Sequence, residues 1–302
     1  MMSQFVKVIG KEKMPQETHI LTIVCPDKTG ISARVFGTVA NEGGFVVEAA
    51  QFGDPMSALF FMRIVFTTQS DEPFREAFKE RFRPVAEEFD MDWHIYDADR
   101  PARVVLAVSK ESHCLNDLLH RWRTGLLKID VAAVVSNHTD MKEFVEWHKI
   151  PYYYFSLPKG ASFEEKRKQE NQILSVADDL HADLVVLARY MQILSDEMCD
   201  ALKGRCINIH HSFLPSFKGA RPYHQAYERG VKLIGATAHY VTANLDEGPI
   251  IEQAVERVDH TNTPEQLVCL GKDLENIVLA RAVRYHIERR VLLNGHRTVV
   301  FK

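Results

Sequence analysis

The first hundred residues alternate short apolar runs and polar turns with two amphipathic segments. Apolar residues repeat at helical spacing through Ile31, Val35 and Val39, and a later charged segment carries phenylalanines four residues apart, which predicts two helices. The predicted elements lie at 19–25 (strand), 31–41 (helix), 45–52 and 58–66 (strands), 72–88 (helix) and 93–96 (strand). This βαββαβ order predicts a ferredoxin-like domain over residues 17–97, after a leader at 1–16.

A polar stretch at 98–102 that contains a proline predicts a linker, and strands and helices alternate after it. Leu184–Ala188 is an uninterrupted apolar run, which is typical of a strand covered on both faces. The alternation predicts a Rossmann-like, largely parallel sheet with crossover helices over 103–302. Thr263–Gln266 combines a threonine cap, a proline and a glutamine, which predicts a helix that continues to about Arg290.

Composition and charge narrow the class of protein. The 302 residues allow one large domain or two smaller ones, and 46% of them are hydrophobic. A formal net charge of −4 indicates neither nucleic acid nor an anionic membrane as a partner. Five widely spaced cysteines without a CxxC pair indicate reduced thiols, and no apolar run reaches the roughly 20 residues of a membrane helix. We therefore predict a cytoplasmic protein.

Candidate chemistry lies at the end of an apolar strand, 206–210. Side chains two residues apart on a strand point to the same face, so Asn208 and His210 project together. His239 and Asp246 follow on a strand that runs into a tight turn, from which the carboxylate could fold back toward the first pair. A lone histidine is more often a core residue than a catalytic group. His239 is explained equally well as support for a site and as packing.

Longer motifs carry a resemblance to a known family. They are Asn-Ile-His at 208–210, Ser-Phe-Leu-Pro-Ser-Phe-Lys-Gly at 212–219, His-Tyr-Val at 239–241 and Leu-Asp-Glu-Gly-Pro-Ile at 245–250. With them the chain resembles the folate-dependent formyltransferase superfamily, over nearly all residues after about the eighteenth. The resemblance implies that Asn208, His210 and Asp246 are the catalytic set. It also implies 10-formyltetrahydrofolate as substrate, with no further cofactor.

The same resemblance implies a pterin pocket beside the segment that follows Leu184–Ala188. Its lining residues would be Met191, Gln192, Ile193 and Leu194, with His239 as a further substrate-binding residue. Open α/β sheets bind ligands beyond the carboxyl ends of their strands, and apolar walls suit a pterin ring. Ordinary helix packing after the strand is the alternative. Gln192 stands where the purine-pathway transferase typically has arginine, which puts a charged contact there in doubt.

A loop without glycine indicates the hydrolytic branch of the superfamily. The purine-pathway transferase has a glycine-rich loop that cradles the phosphate of its acceptor, whereas residues 108–115 contain no glycine and include Glu111. Close backbone approach to phosphate requires the absence of a side chain, so water is the expected acceptor. We predict hydrolysis to tetrahydrofolate and formate, with the formate feeding purine biosynthesis. Transfer to an amine is the alternative, and a catalytically inactive amino-acid sensor is a third hypothesis.

The N-terminal domain resembles an ACT domain through Cys25–Ile31 at its first turn. Members of that family often bind amino acids between paired subunits. Backbone amides at a helix N-terminus can receive a carboxylate, so Asp27 and Gly30 form the predicted regulatory site; a plain tight turn is the alternative. A sheet edge that a second copy can cover predicts a homo-oligomer, a dimer or a tetramer.

No metal site is predicted. The histidines of the C-terminal half that lie in one region are His210, His211, His224 and His239. No pair of them has the i, i+4 spacing of a zinc protease, and no thiolate cluster accompanies them.

Overall fold

The computed structural model describes residues 16–69, 74–214 and 222–302. The chain divides into two compact units, Met1–Arg100 and Pro101–Lys302. All but the last residue of the predicted leader lie outside the described ranges. Within those ranges, no helix is long and apolar enough to cross a lipid bilayer.

The first unit has the predicted order of elements. They are β1 (Gln16–Pro26), α1 (Ile31–Asn41), β2 (Phe45–Asp54), β3 (Leu59–Gln69), α2 (Phe74–Glu88) and β4 (Asp92–Asp97). The strands form one sheet in the order β2-β3-β1-β4, and every neighbouring pair is antiparallel. Alternate residues of β1 and β3, such as Ile23 and Ile64, meet the apolar faces of both helices in one core. The ferredoxin-like prediction is confirmed.

The second unit alternates strands and helices as predicted. Its elements are β5 (Ala102–Val108), α3 (His113–Arg123), β6 (Ile129–Ser136), α4 (Lys142–Trp147), β7 (Tyr152–Tyr154), α5 (Phe163–Asp179), β8 (Leu184–Leu187), α6 (Asp196–Ala201), β9 (Cys206–His210), α7 (Pro222–Glu228), β10 (Leu233–Tyr240), β11 (Ile250–Arg257), α8 (Pro264–Ile287), β12 (Val291–Asn294) and β13 (Arg297–Val300). The main sheet has the order β11-β10-β9-β8-β5-β6-β7. Strands β5 to β9 pair in parallel, while β10 and β11 are antiparallel.

Helices cover both faces of this sheet. Val104 and Leu106 of β5 pack in a core with α3, α7 and α8, whereas Val105 and Ala107 pack in another core with α5 and α6. A strand buried on both faces needs apolar residues at every position, which explains the uninterrupted apolar runs of β5 and β8. The prediction of a largely parallel sheet is confirmed.

Local sequence signals correctly predict the start of α8, but they do not predict some of the shorter elements. Thr263 caps the helix by accepting from Gln266 N, and the Gln266 side chain accepts from Thr263 N at 2.8 Å, so the predicted capping box forms. The seven-residue helix α7 and the strand β12 were not predicted. Both are too short to show a clear period in the sequence.

Candidate active site

A pocket of about 650 Å³ lies at the carboxyl ends of β8 and β9. Open α/β sheets bind their ligands in this place, and the volume is typical of small-molecule sites. All eight residues predicted for catalysis and substrate binding line it: Met191, Gln192, Ile193, Leu194, Asn208, His210, His239 and Asp246. The predicted regulatory residues, Asp27 and Gly30, belong to the first unit.

Four of the pocket residues form a polar group that we call the Asp246 cluster: Asn208, His210, His239 and Asp246. The pairing of β9 with β10 places Asn208 opposite His239, and the Asn208 Nδ2 atom lies 3.3 Å from His239 Nε2. Asp246 reaches both imidazoles. Its Oδ2 atom lies 3.2 Å from His210 Nδ1, and its Oδ1 atom lies 3.7 Å from His239 Nε2.

The turn after β10 carries Asp246 back to the end of β9. The Tyr240 amide donates to the Pro249 carbonyl at 2.9 Å. Gly248 approaches this strand so closely that a Cβ atom there would lie 1.7 Å from the Tyr240 carbonyl oxygen. Asp246 itself has a φ of 58°, in the left-handed region that few residues other than glycine adopt. The position of the carboxylate therefore depends on a glycine two residues away.

Electrostatics keep Asp246 ionised at neutral pH. Burial by itself would raise the pKa of this carboxyl group. The hydrogen bond from His210 and the approach of the His239 ring outweigh burial and hold the pKa of Asp246 well below its usual range. The group is consequently a good hydrogen-bond acceptor for an imidazole N–H and a weak base toward water.

His239 is 2% exposed and orients the amide of Asn208. Its Nδ1 atom lies 2.9 Å from the Tyr240 carbonyl oxygen. Because a carbonyl oxygen only accepts, Nδ1 carries the proton and Nε2 accepts from Asn208 Nδ2. These contacts favour support for the site over plain packing as the role of His239. They leave the second N–H of the Asn208 amide for a ligand.

Residues 189–195 form a loop, and buried polar groups fix both of its ends. The Ser109 hydroxyl accepts from the Met191 amide at 2.9 Å. At the other end, the Ser195 amide donates to the Glu170 carboxylate at 2.8 Å. Met191 keeps 54% of its surface exposed. A rigid loop with apolar side chains open to the pocket suits a flat aromatic ligand.

A second group of polar side chains lines the same pocket and is called here the Glu275 cluster: His113, Arg189, His211, Tyr223 and Glu275. Glu275 is 1% exposed. The Tyr223 hydroxyl donates to its Oε1 atom at 2.9 Å, and His113 Nε2 lies 2.8 Å from its Oε2 atom. Arg189 Nε lies 3.4 Å from the same Oε2, and Arg189 Nη1 donates to His211 Nδ1 at 2.6 Å.

Close packing against α8 brings Tyr223 to the carboxylate. A Cβ atom at Gly271 would lie 2.0 Å from the Tyr223 ring, and Gly271 stands one helical turn before Glu275. Burial alone would raise the pKa of Glu275, but the hydrogen bond from His113 and the charge of Arg189 lower it overall. Glu275 therefore stays ionised although it is buried.

Within the described ranges, one set of side chains has the proximity of metal ligands: His113, Cys114 and Glu275. His113 and Glu275 bond directly to each other. Burial raises the pKa of the Cys114 thiol far above its usual range, and a thiol is a poor metal ligand. The three side chains are better explained as a hydrogen-bonded pair beside a core cysteine.

The sequence interpretation did not single out His113, Arg189, Tyr223 or Glu275. The signal available in the sequence was a charged residue within an otherwise apolar segment. Arg189 follows a buried strand directly, and Glu275 is among the buried residues of α8. A buried charge is expected to have a partner, but the partner's identity depends on the tertiary fold.

Three comparisons relate this chain to known proteins. Residues 102–283 match the family model described as formyl transferase. A formyltetrahydrofolate deformylase from Corynebacterium sp. (strain P-1) is 47% identical, covering 95% of this chain and 99% of that protein. One from Bacillus subtilis (strain 168) is 46% identical over 93% of each chain. The crystal structure of a formyltetrahydrofolate deformylase from Burkholderia mallei ATCC 23344 is similar with a TM-score of 0.89 and 51% identity, covering 95% of this chain and 100% of that one.

Proposed function

This chain belongs to the formyltetrahydrofolate deformylase family, and we propose that it hydrolyses 10-formyltetrahydrofolate to tetrahydrofolate and formate. The observation that carries the proposal is the Asp246 cluster, which combines an amide donor, an imidazole and a carboxylate in one pocket. These three groups can hold an oxyanion, move a proton and orient the imidazole. The fixed 189–195 loop supplies an apolar wall for the pterin.

In the proposed mechanism, Asp246 orients His210. The carboxylate accepts from Nδ1–H, so the lone pair of His210 Nε2 is available to the pocket. Within the described ranges, Nε2 is buried and makes no hydrogen bond. Water attacks the formyl carbon as its proton passes to Nε2, and Asn208 donates to the oxyanion. Nε2 then delivers the proton to N10, the C–N10 bond breaks, and tetrahydrofolate leaves together with formic acid, which loses the second water proton to solvent and becomes formate.

The low pKa of Asp246 supports this division of roles. A carboxylate that two histidines stabilise is a weak base, so removing a proton from water would cost it much of that stabilisation. An orienting carboxylate, in contrast, gains from the same contacts. Asp246 is therefore assigned to the orientation of His210, and His210 to proton transfer.

The glycine-free loop at residues 108–115 supports water as the acceptor of the formyl group. Glu111 Oε2 lies 2.8 Å from Lys272 Nζ, and hydrogen bonding to Lys272, which outweighs burial, lowers the pKa of Glu111. Glu111 therefore engages the Lys272 ammonium, which would otherwise be available to bind the phosphate of an amine acceptor.

The test is a formate assay on the purified chain with 10-formyltetrahydrofolate, in the presence and absence of glycinamide ribonucleotide. Formate release at a rate independent of the amine is the expected result. Formylation of the amine at a rate comparable to formate release would overturn hydrolysis in favour of transfer.

We further propose that residues 17–97 pair two copies of the chain and that 103–302 is the catalytic domain, with 98–102 as linker. β2 is an edge of its sheet, and its outward side chains include Phe45 and Val47, which are 72% and 61% exposed. An apolar edge of this kind is open to pairing with a second strand.

Light scattering on Phe45→Glu tests the assembly. The expected result is a smaller species than the wild type, while Leu126→Glu, an equally exposed position in the other unit, leaves the mass unchanged. A monomeric wild type, or a Phe45→Glu variant of unchanged mass, would contradict pairing through β2.

An amino-acid effector is proposed for the turn that contains Asp27 and Gly30. Gly30 has a φ of 99° and directly precedes α1, whose first amides can bind a carboxylate. The Asp27 carboxylate, which would meet an ammonium group, lies against Gly53 of β2, where a Cβ atom would be 2.6 Å from Oδ2. Calorimetry with the common amino acids tests the site. Binding that Asp27→Ala abolishes supports it; no binding, or binding that survives Asp27→Ala, refutes it.

The cytoplasm is the proposed compartment. All five cysteines lie in the described residues and are free thiols, as expected for a reducing environment.

A further inference from the structure

The imidazole of His211 is fixed in one tautomer by Arg189. Arg189 Nη1 lies 2.6 Å from His211 Nδ1. A guanidinium group only donates hydrogen bonds, so Nδ1 is the acceptor and the proton of the neutral ring is on Nε2. This assignment follows from donor and acceptor chemistry alone.

Contacts hold both the backbone and the guanidinium group of Arg189 in place. Its backbone carbonyl accepts from the Ser109 amide at 3.2 Å, and its φ of 65° lies in the left-handed region. Its guanidinium lies 3.4 Å from Glu275 Oε2, and Tyr223 holds the other oxygen of Glu275. The guanidinium therefore has a fixed position and a fixed counter-charge.

His211 lies directly on the histidine that the proposed mechanism uses. The rings of His210 and His211 are stacked with centroids 4.9 Å apart and an interplanar angle of 18°. Positive charge on both rings at this distance would be strongly repulsive. Only one of the two imidazoles can therefore take up a proton readily.

The charged groups around the two rings determine whether His210 or His211 takes up the proton. The groups around His211 are the Arg189 guanidinium, the His210 imidazole and the carboxylates of Glu275 and Asp246. The centroid of the Tyr223 ring lies 6.5 Å from that of His211. Burial, followed by Arg189 and His210, lowers the pKa of His211 to about 4. His210, in contrast, has the Asp246 carboxylate 3.2 Å from its Nδ1.

We propose that Arg189 and His211 are positioning residues for His210: the Arg189 hydrogen bond fixes the tautomer of His211 and, together with burial, keeps this ring neutral, and the neutral ring holds His210 in plane as the one proton-carrying imidazole of the stack. The effect on turnover rests on the proposed hydrolysis. The tautomer of His211 does not depend on that hydrolysis, so the positioning role and the hydrolysis can be refuted separately.

The experiment is ¹⁵N NMR of the full chain with labelled histidine, with the His211 signal assigned by its loss in His211→Asn. In the wild type, we expect unprotonated Nδ1 and protonated Nε2 at His211 from pH 8 down to about 5. In Arg189→Met, we expect mixed tautomers and protonation of His211 at a higher pH than in the wild type, although still below about 6.5 because the ring remains buried. Arg205→Met removes a guanidinium of the same unit that pairs with Asp178 and should leave the His211 signal unchanged.

Turnover supplies the second readout. Arg189→Met should lower kcat roughly 10- to 100-fold, the scale of a misplaced catalytic group, with KM within about twofold of the wild type. The acid limb of its pH–rate profile should move because a second imidazole now titrates. Arg189→Lys, which keeps a donor and a charge, should recover most of the loss.

Two results would overturn the proposal: a wild-type His211 that is protonated at Nδ1 near neutral pH, or an Arg189→Met variant with the wild-type His211 signal and an unshifted pH profile. The first is measured on the wild type and does not depend on any variant folding. Formate release absent from a wild type that shows the expected tautomer would refute the proposed hydrolysis and leave the positioning network standing.

Discussion

The Asp246 cluster and the Glu275 cluster line the same pocket, yet their central carboxylates differ in exposure and in contact distance. The Glu275 side chain is 1% exposed, and its two oxygens lie 2.9 Å from the Tyr223 hydroxyl and 2.8 Å from His113 Nε2. The Asp246 side chain is 24% exposed, and its two oxygens lie 3.2 Å and 3.7 Å from the nearest imidazole nitrogens. Protein donors enclose the Glu275 carboxylate, whereas a ligand in the pocket can still approach the Asp246 carboxylate. We therefore assign reaction to the Asp246 cluster and positioning to the Glu275 cluster.

The largest expected effect is the loss of turnover when the Asp246 cluster is changed. Asp246→Asn, His210→Ala and Asn208→Ala should each lower kcat by roughly 10²-fold or more, the scale of lost acid–base or oxyanion contributions. The melting temperature should change little, because these side chains lie at a strand end and in a turn. Near-normal turnover of Asp246→Asn with bound folate would contradict the orienting role of the carboxylate.

Gly248→Ala should have the next largest effect, because the added Cβ would lie 1.7 Å from the Tyr240 carbonyl oxygen and must displace the turn. We expect kcat to fall by up to about 10²-fold through misplacement of Asp246. Gly37→Ala is the matched control, since a Cβ atom there meets no atom within 4 Å. Steady-state kinetics that do not distinguish the two variants would show that the turn does not fix the carboxylate.

Changing Glu275 itself should show the opposite balance, with a large loss of stability and a smaller loss of turnover. Glu275→Gln leaves the buried Arg189 charge without its counter-charge, which costs about 3–5 kcal/mol of unfolding free energy in comparable buried pairs. The folded fraction should keep kcat within roughly tenfold. Asp178→Asn, which removes the partner of Arg205 in an exposed pair, should cost about 1 kcal/mol or less. Urea unfolding separates the two outcomes, and equal losses would refute the buried network.

The last expected effect is a pH dependence of stability, which develops gradually over several pH units. Burial lowers the pKa of His286 to about 3 and, with Arg189 and His210, that of His211 to about 4. Below about pH 6.5 the unfolded chain binds protons that the folded chain does not, so the unfolding free energy falls as pH drops from about 6.5 to about 4. The slope is at most about 1.4 kcal/mol per pH unit for each histidine. Asp246 lowers the unfolding free energy in the same direction only below about pH 3.8, the ordinary pKa of an aspartate side chain.

Urea titrations at pH 7, 6 and 5 measure this slope. His286→Phe keeps a buried ring and removes one titrating group, so its slope should be smaller than that of the wild type. An unchanged slope would show that His286 is protonated in the folded state.

Much of the fold could be predicted because its signals are local. The two-residue period of β1 and the capping box at Thr263 need no knowledge of distant residues. The same period placed Asn208 and His210 on one side of β9. The approach of Arg189 to Glu275 joins residues 86 positions apart, and no local pattern specifies it. Likewise, His239 lies opposite Asn208 only because of the register between β9 and β10.

Isotope incorporation tests the central claim, that water takes the formyl group at the Asp246 cluster. A single turnover of 10-formyltetrahydrofolate in H₂¹⁸O, analysed by mass spectrometry, should give formate with one ¹⁸O atom in the wild type. Asp246→Asn should give almost none in the same time. Unlabelled formate, or labelled formate from Asp246→Asn at the wild-type rate, would contradict this account.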